Sequence, residues 1–452
     1  MINIICTGAK YIIILLILVY TYQCFSILSY SDAQIKKRII HWQNAVMYFF
    51  QLLAYGTLFL QLKEGKYLVF YVLQFVVIGL TMILYTIFYP RASRIVLNNM
   101  CMLISVGFVM LARLNYELAI KQLVVFSISM IVSLFIPWII RKGQFLSKQS
   151  TGYVFAGIGI LSLIAVVILG STSYGAKLGF QFVGFSIQPS EFVKIIFVFF
   201  VAASLAQCTK FKHLVWITAL AAAHVLILVL STDLGAAVIL FIVYLVMLYV
   251  ATKKIRYMVT GIAAGAGASV LGYFLFSHVR VRVLAWRDPF SAFDSGGYQI
   301  AQSLFAIGTG GWLGMGLLKG LPTSIPVVST DFIFAAIAEE LGLIFALCVI
   351  MIYVSCYIMF LNIAMQMKNQ FYKLVALGLG TAYIFQVFLT IGGVTKFIPS
   401  TGVTLPLISY GGSSLLSTLI MFAIIQGLYI LREDEEKEIE KERVSIRRKR
   451  KA

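Results

Sequence analysis

Residues 331–365 read DFIFAAIAEELGLIFALCVIMIYVSCYIMFLNIAM, a run whose only charged side chains are Asp331, Glu339 and Glu340. As one straight α-helix, this run would be about 52 Å long at ~1.5 Å per residue. The apolar core of a bilayer is only about 30 Å thick, and residues 341–365 suffice to cross it. The run therefore predicts a membrane-spanning helix, with Asp331 at or just outside the polar boundary.

The rest of the chain repeats this apolar pattern from end to end. Of its 452 residues 61% are hydrophobic, and the mean hydropathy is +0.96, far above the balance of a soluble domain. We expect an all-α, polytopic integral membrane protein with about 13 transmembrane helices and no nucleic-acid partner. The candidate spans are roughly 11–30, 45–62, 67–88, 98–112, 123–140, 153–170, 191–207, 213–231, 233–251, 257–277, 331–365, 372–394 and 408–431.

The basic residues predict an orientation. If the spans alternate, 24 of the 36 Lys and Arg residues fall on the side of the C-terminal tail and eleven on the other. The positive-inside rule then places the N-terminus outside and the tail, residues 432–452, in the cytoplasm. We interpret the first apolar run, 11–30, as a retained span and not a signal peptide, because it lacks a small-residue cleavage site. The mixed charges of the tail predict solvation or attraction to anionic membrane lipid.

The six cysteines suggest neither a disulfide framework nor a zinc site. They lie in or beside the predicted spans, and no CxxC pair occurs. The cysteines therefore give little information about the redox compartment.

The three acids of residues 331–365 cannot serve one site from one straight helix. Asp331 and Glu339 are eight residues apart, about 12 Å along the axis and ~80° around it, and Glu340 is ~180° away. Paired carboxylates that act on one bond lie about 5–9.5 Å apart. We therefore treat Asp331 as a lone acid and Glu339 and Glu340 as supporting groups. Capping of the helix by Asp331 is the competing interpretation.

Two other acids lie at predicted helix starts. In QPSEFVK (188–194), Glu191 and Lys194 are three residues apart, so they share a helix face and can pair. A plain helix start explains Glu191 equally well, because acids are favoured in the first turn. In STDLGAAV (231–238), Asp233 is either a helix cap or an acid that faces an external cavity.

Two glycine-containing stretches complete the set of motifs. The stretch GTGGWLGMGLLKG (308–320) lacks the spacing of a phosphate-binding loop, so it predicts only flexible backbone beside Lys319. The stretch IPSTGVTLPLISYGGSSLL (398–416) brings Ser409, Gly411, Gly412 and Ser413 to a helix start, where free backbone N–H groups can bind phosphate. The long loop 278–330 carries most of the external charge, and loops of this length are usually functional or disordered.

Taken together, these stretches resemble the SEDS family of membrane glycosyltransferases (RodA, FtsW and SpoVE), which polymerise peptidoglycan. The resemblance rests on QPSEFVK (188–194), TDLGAAV (232–238), RVLAWRDPF and GGYQIAQSLFAIGTGG (282–311), TDFIFAAIAEELGL (330–343) and GVTLPLISYGGSSLL (402–416). It implies a ten-helix core over residues 98–431, preceded by about three extra helices in residues 1–97. It also implies a bacterial cytoplasmic membrane as the location.

The resemblance implies the reaction and the role of the essential acid. Family members join disaccharide-pentapeptides from lipid II, an undecaprenyl-pyrophosphate-linked precursor, into glycan strands on the outer face of the membrane. They do so for elongation, division or sporulation. The family's catalytic Asp falls on Asp331, which would act as general base while the donor's anomeric centre inverts. A class B penicillin-binding protein is the implied partner.

The leaving pyrophosphate needs positive charge, for which two sources remain open. Guanidinium and ammonium groups suit phosphate oxygens, and the external candidates are Arg280, Arg282, Lys319 and Lys396. A divalent cation, Mg²⁺ or Mn²⁺, between Asp331 and the pyrophosphate would serve equally.

Two other classes of function compete with a polymerase. Broken helices and intramembrane acids also suit a flippase or transporter for the lipid-linked precursor. The extra N-terminal helices suit a non-catalytic scaffold of a cell-wall synthesis complex.

Overall fold

The computed structural model describes residues 2–173, 176–182, 185–207, 210–293 and 296–449. Cys208 and the last three residues of the tail, named in the predictions above, lie outside these ranges. The helices are α1 (Ile2–Ser29), α2 (Ala33–Leu62), α3 (Lys66–Phe88), α4 (Arg94–Leu114), α5 (Tyr116–Lys142), α6 (Gln149–Leu169), α7 (Pro189–Gln207), α8 (Phe211–Leu230), α9 (Leu234–Thr252), α10 (Ile255–Leu275), α11 (Ser277–Arg287), α12 (Gly297–Gly310), α13 (Ile333–Gln366), α14 (Gln370–Val394) and α15 (Gly412–Lys449).

Thirteen helices within the described ranges are long and apolar enough to cross a membrane: all except α11 and α12, with α15 contributing residues 412–435. The predicted all-α, polytopic fold is therefore confirmed. Short 3₁₀ turns lie at Gln144–Ser147 and Pro322–Ser324. A small antiparallel sheet, which the sequence did not predict, joins α6 to α7 in the order β1 (Ser171–Ser173), β2 (Ala176–Phe182) and β3 (Phe185–Ile187).

The turns between spans form where local chemistry satisfies the free ends of the helices. Asp32, Asn115 and Asn369 accept hydrogen bonds from backbone N–H groups in the first turns of α2, α5 and α14. Lys63 and Lys253 end α2 and α9 in the left-handed conformation, which turns the chain sharply. These short connections give antiparallel neighbours and alternate the helix ends.

Helix α4 lies at the centre of the bundle and is almost completely buried. It is longer than the predicted span 98–112, because it begins at Arg94 and ends at Leu114. Helices α2, α3, α5, α13 and α15 surround it. The N-terminal three helices therefore pack onto the remainder of the bundle. The predicted division at residue 97 stays a prediction.

A break in α13 corrects the assumption of one straight helix. Gly342 has φ 90° and ψ 165°, outside helical geometry, so residues 333–341 and 343–366 are two helical segments joined at a kink. A side chain at this position would be strained, because positive φ is accessible mainly to glycine. The kink separates the segment that carries Glu339 and Glu340 from the long apolar segment.

Polar contacts identify the two ends of the bundle. At one end, Tyr116 Oη donates to the Lys66 carbonyl at 3.1 Å, and Arg113 Nη2 donates to the Gly320 carbonyl at 3.2 Å. At the other end, Arg141 pairs with Asp434 at 2.8 Å. We call the first of these ends the loop-rich end, because the sheet, α11, α12 and residues 311–332 all lie there.

Candidate functional site

The N-termini of four helices, α7, α9, α13 and α15, converge at the loop-rich end. Ser190 in the first turn of α7 donates from Oγ to Oδ2 of Asp233, which precedes α9, at 2.8 Å. Oγ of Ser413 in the first turn of α15 accepts from the backbone N–H of Gln188, at 3.0 Å. Helix N-termini carry partial positive charge, so their convergence favours an anion nearby.

The stretch that precedes α13 is fixed to the stretch that precedes α15. The backbone N–H of Tyr410 donates to the carbonyl of Ser329 at 2.8 Å, and Oγ of Ser409 donates to the carbonyl of Thr330. Asp331 follows directly, and its backbone N–H donates to the carbonyl of Val327 at 3.2 Å. The backbone that presents Asp331 is therefore held in place.

The Asp331 carboxylate does not cap a helix, so the competing interpretation of this acid is wrong. Helix α13 begins at Ile333, and its N-cap residue is Phe332, whose side chain cannot accept a hydrogen bond. Asp331 is partly buried, while the residues that follow it are fully buried. The carboxylate therefore remains available for chemistry.

Arg282 of α11 reaches the same place from the opposite side. A Cβ atom built on Gly402 would lie 3.5 Å from Oδ2 of Asp331 and 4.0 Å from Nη2 of Arg282. Arg282 also donates from Nη1 to the carbonyl of Ser400 at 3.4 Å. Gly402 has φ 72°, and its missing side chain leaves open the space that both the acid and the guanidinium border.

The environment of Asp331 favours a proton acceptor. Burial raises the pKa of the Asp331 carboxyl above its ordinary value, while the Thr330 hydroxyl and the Arg282 guanidinium act in the opposite direction. Burial likewise lowers the pKa of Arg282, and the charges of Asp331 and Asp233 oppose that shift. A carboxylate with a raised pKa is a stronger base than an ordinary one, which is what general-base catalysis requires.

Asp233 lies beside this site but its oxygens are already engaged. Oδ1 accepts from the backbone N–H of Ala236 at 3.1 Å, which caps α9. Oδ2 accepts from Ser190 and, at 3.2 Å, from Nε2 of Gln188. Capping therefore accounts for this acid, and its charge acts on Arg282 only from a distance.

Glu191 and Lys194 form a buried ion pair, as the spacing predicted. Nζ of Lys194 lies 2.8 Å from Oε2 of Glu191, and the side chains are 2% and 9% exposed. Ser417 donates to Glu191 at 2.9 Å, and Lys194 donates to Oε1 of Gln386 at 2.6 Å. Because each charge is satisfied internally, the pair acts as part of the framework beneath the site.

Glu339 and Glu340 support residues 311–321, which we call the glycine loop. Oε1 of Glu339 accepts from the backbone N–H of Leu321 at 2.8 Å. Oε1 of Glu340 accepts from Nε of Arg113 at 2.8 Å. Both acids are buried, and these hydrogen bonds are with Leu321 and Arg113. Their supporting role in the reaction stays a prediction.

The remaining basic candidates have other surroundings, and among basic residues only Arg282 is found to act on the charge of Asp331 in the described structure. Arg280 is exposed and donates to the carbonyl of Phe274, and Lys319 is exposed on the glycine loop. Lys396 has φ 59°, and its carbonyl accepts from Nε1 of Trp286 at 3.1 Å. Of the four predicted basic residues, the structure brings only Arg282 to the carboxylate of Asp331.

The predicted phosphate-binding residues before α15 have mainly internal partners. Oγ of Ser409 accepts from the backbone N–H of Leu405 at 2.9 Å, and the N–H of Gly411 donates to Gln122 at 3.3 Å. Ser413 donates to the carbonyl of Ser186 at 3.0 Å, and Gly412 begins α15. Their role in substrate binding stays a prediction.

The sequence analysis did not predict a role for two residues of this site. Thr401 and Gly402 lie between α9 and Asp331, and the Thr401 hydroxyl is buried with no hydrogen-bond partner in the described ranges. A small residue between Pro399 and Pro406 was the available signal, because such a segment is irregular and packs closely.

The residues around Asp331 do not fit a metal held by the protein. No group of three or more His, Cys, Asp and Glu side chains that could hold a metal occurs in the described part of the chain. Asp233 already uses both oxygens, and the charged group that acts on Asp331 is a cation, Arg282. The described acids beside Asp331 therefore do not supply the several oxygen donors that magnesium or manganese needs.

Known proteins are similar to this chain in sequence and in fold. The family model described as cell cycle protein, which stands for FtsW, RodA and SpoVE, matches residues 86–433. RodA of Mycobacterium leprae, named a peptidoglycan glycosyltransferase, is 36% identical over 364 residues, 75% of this chain and 78% of that protein. RodA of Mycobacterium tuberculosis, with the same name, is 42% identical over 293 residues, 61% of this chain. The chain spans 62% of the length of this second relative.

Solved structures agree on the fold. A chain of a peptidoglycan synthase complex, whose report concerns coordination of polymerization and crosslinking, gives a TM-score of 0.64 at 23% identity. The match covers 75% of this chain and 98% of that one. The rod shape determining protein RodA of Thermus thermophilus gives 0.57 at 22% identity, covering 75% and 96%. From the family match and the relatives, we conclude that this chain belongs to the FtsW, RodA and SpoVE family of membrane proteins, the family that its motifs resemble.

Proposed function

We propose that this protein is a peptidoglycan glycosyltransferase that polymerises lipid II, with Asp331 as the general base. The observation that carries this proposal is that Asp331 and Arg282 border the same space beside Gly402, while the Asp331 carboxylate does not cap α13. The names of the mycobacterial relatives support the same activity.

In this reaction, Asp331 takes the proton of the acceptor sugar's hydroxyl group. The freed oxygen attacks the anomeric carbon of the donor and forms the new glycosidic bond. The bond from that carbon to the pyrophosphate oxygen breaks, and the lipid pyrophosphate leaves with the electron pair. A single base suffices because pyrophosphate is already a good leaving group. The anomeric centre inverts because the acceptor oxygen attacks it in one step, from the side opposite the leaving pyrophosphate.

Arg282 has the chemistry to stabilise the charge that develops on the leaving group. A guanidinium can donate two parallel hydrogen bonds to phosphate oxygens. The partial positive charges of the four convergent helix N-termini act in the same sense. Within the described ranges no group of three or more His, Cys, Asp and Glu side chains could hold a metal, and no step is assigned to a divalent cation.

The protein lies in the bacterial cytoplasmic membrane with its loop-rich end outside, its N-terminus outside and its tail in the cytoplasm. The support is the excess of Lys and Arg on the tail side of the bundle. This orientation presents Asp331 to the outer face, where the strands are assembled. The partner is a class B penicillin-binding protein, in line with the synthase complex among the structural neighbours.

Purified protein, its penicillin-binding partner and lipid II test this proposal. Wild type is expected to make glycan polymer, and Asp331→Asn none, with lipid II binding retained. Asp288→Asn is the control, because Asp288 is an exposed acid of the same external region that only caps a turn. Normal polymerisation by Asp331→Asn would overturn the assignment. Lipid II that crosses a vesicle membrane without forming polymer would favour the transporter instead.

A further inference from the structure

The glycine loop is fixed, contrary to the flexible backbone that its composition predicts. The N–H groups of Met315 and Gly316 donate to the carbonyls of Glu339 and Glu340, both at 2.8 Å. The carbonyl of Gly311 accepts from the N–H of Leu343 at 2.9 Å. The kink at Gly342 exposes these main-chain groups of α13, which a straight helix would have used internally.

Three elements also clamp the loop through side chains. Glu339 of α13 holds Leu321, and Arg113 of α4 holds Gly320. The third clamp is Lys10 of α1, whose Nζ donates to the carbonyl of Gly314 at 3.1 Å. Gly314 has φ 71° and lies directly against the backbone of α13, so no side chain could replace its hydrogen there.

Lys10 comes from outside the part of the chain that matches the family, residues 86–433. Its helix is nevertheless fixed to the core by a buried set of polar side chains, the polar seam, which comprises Tyr20, Cys24, Gln43, Asn98, Asn99 and Ser355. Within a membrane, such hydrogen bonds between helices hold them in a defined register, because unpaired polar groups are costly in lipid.

The connection from the glycine loop to Asp331 is short and is held at both ends. Leu321 at its start is bound by Glu339, and Thr330 at its end is bound by Ser409. Asp331 is therefore held from two sides, by the residues before α15 and by the glycine loop, and a shift of the loop would disturb one of these two attachments. A displacement of 1 Å at a reacting group can lower a rate by about a hundredfold.

We propose that Lys10 is a positioning residue, through which the N-terminal three helices hold the glycine loop and, by it, Asp331. This role rests on the proposed function, because the reaction that it supports is the one proposed above. The extra helices thereby act as part of the catalytic framework and not as a detached docking module. Lys10 itself contacts the glycine loop, and no contact with Asp331 occurs in the described structure.

The test compares Lys10→Met, Lys10→Arg and Lys63→Met with wild type in two measurements. The first is lipid II polymerisation, and the second is hydrogen exchange of the amides of residues 311–321. Lys63 is the matched control, an exposed lysine at the same end of the N-terminal helices. In Lys10→Met we expect kcat to fall about tenfold with little change in KM, since one charge-assisted hydrogen bond is lost. The loop amides should exchange faster in the same variant.

Lys10→Arg should restore most of the wild-type kcat and most of the wild-type protection of the loop amides. Lys63→Met should change neither quantity. Wild-type exchange in Lys10→Met, or faster exchange with unchanged kcat, overturns the positioning role alone. No polymer from wild type overturns the proposed function and this role with it. The two failures are therefore distinguishable.

Discussion

Oδ2 of Asp331 and Nη2 of Arg282 lie 3.5 Å and 4.0 Å from the point where a side chain at Gly402 would begin, so the two groups border one space. The acid precedes α13 and the guanidinium belongs to α11, so only the folded chain brings them together. Each alters the protonation of the other, since Arg282 opposes the rise in the pKa of Asp331. This relationship leads to the predictions below.

Replacing Arg282 should move the pH dependence of turnover. As a base, Asp331 must be deprotonated, so turnover rises with pH through its raised pKa. Arg282→Gln removes an influence that lowers this pKa, so the acid limb of the kcat/KM profile should shift to higher pH. Turnover should also fall by roughly a hundredfold, because a charge that stabilises the leaving group is lost. Arg280→Gln should shift the acid limb of the kcat/KM profile less. An unmoved acid limb in Arg282→Gln would contradict the effect of Arg282 on Asp331.

Asp331→Asn should lose activity without losing stability. A carboxyl whose pKa is raised in the fold stabilises the protein only while it is protonated, and this contribution disappears as pH rises through the folded pKa. At neutral pH the carboxylate therefore costs stability, and an amide removes that cost. The thermal midpoint of Asp331→Asn in detergent at pH 7 should equal or exceed that of wild type. A lower midpoint would mean that the acid is structural.

Gly402→Ala should impair the site in two ways, by straining the backbone and by filling the space beside Asp331 and Arg282. The residue has φ 72°, and a methyl group would fill the gap between Asp331 and Arg282. We expect kcat/KM to fall at least tenfold and stability to fall by about 1 kcal/mol, the usual cost of a non-glycine residue at positive φ. Gly157→Ala in α6 is the control, because nothing lies within 4 Å of its Cβ position. Equal activity of the two variants would argue against a site over Gly402.

Thr401→Val tests the unpartnered hydroxyl beside Gly402. A buried hydroxyl without a hydrogen bond in the described structure costs stability, so the isosteric valine should leave the thermal midpoint unchanged or raise it. If the hydroxyl meets substrate, KM for lipid II should rise by about threefold to tenfold. An unchanged KM with a raised midpoint would assign Thr401 to packing alone.

The buried pair of Arg113 and Glu340 should behave as a structural unit. Their side chains are 11% and 0% exposed, and Nη2 lies 2.8 Å from Oε1. Arg113→Met leaves a buried charge without its partner, which typically costs about 3–5 kcal/mol. The double variant with Glu340→Met should regain most of that loss in thermal unfolding. A double variant less stable than either single one would contradict this account. Lys66→Met, at an exposed ion pair, should change the midpoint little.

The sequence predicted the spans and the local ion pair well, because these features follow from the hydropathy and spacing of residues close together in the chain. Hydrophobic length identified the thirteen spans, and the spacing of Glu191 and Lys194 predicted the ion pair that the structure contains. Span length and helix geometry predicted separate roles for Asp331 and for the two glutamates, and in the structure Glu339 bonds to Leu321 and Glu340 to Arg113. These inferences succeeded because helix rise, helix rotation and the cost of burying charge do not depend on the fold.

The failures share a different physical origin. In the sequence, Asp331 and Asp233 were equally good candidates for a helix N-cap. Only Asp233 caps its helix, because α13 begins at Ile333 and its N-cap residue is Phe332. Glycine content indicated flexible backbone at 308–320, whereas contacts from Lys10, Arg113 and the kinked α13 fix residues 311–321 of it. Propensity cannot report such contacts, since their partners are distant in the chain.

By itself, the sequence determined that this is a polytopic helical membrane protein with Asp331 at the end of a span, because hydropathy and family motifs are written along the chain. Only the tertiary structure decided which of the basic residues faces that acid. It also decided that Gly402 provides the space between them and that the N-terminal helices reach the glycine loop. Those outcomes depend on side chains separated by many residues, and packing alone sets which of them meet.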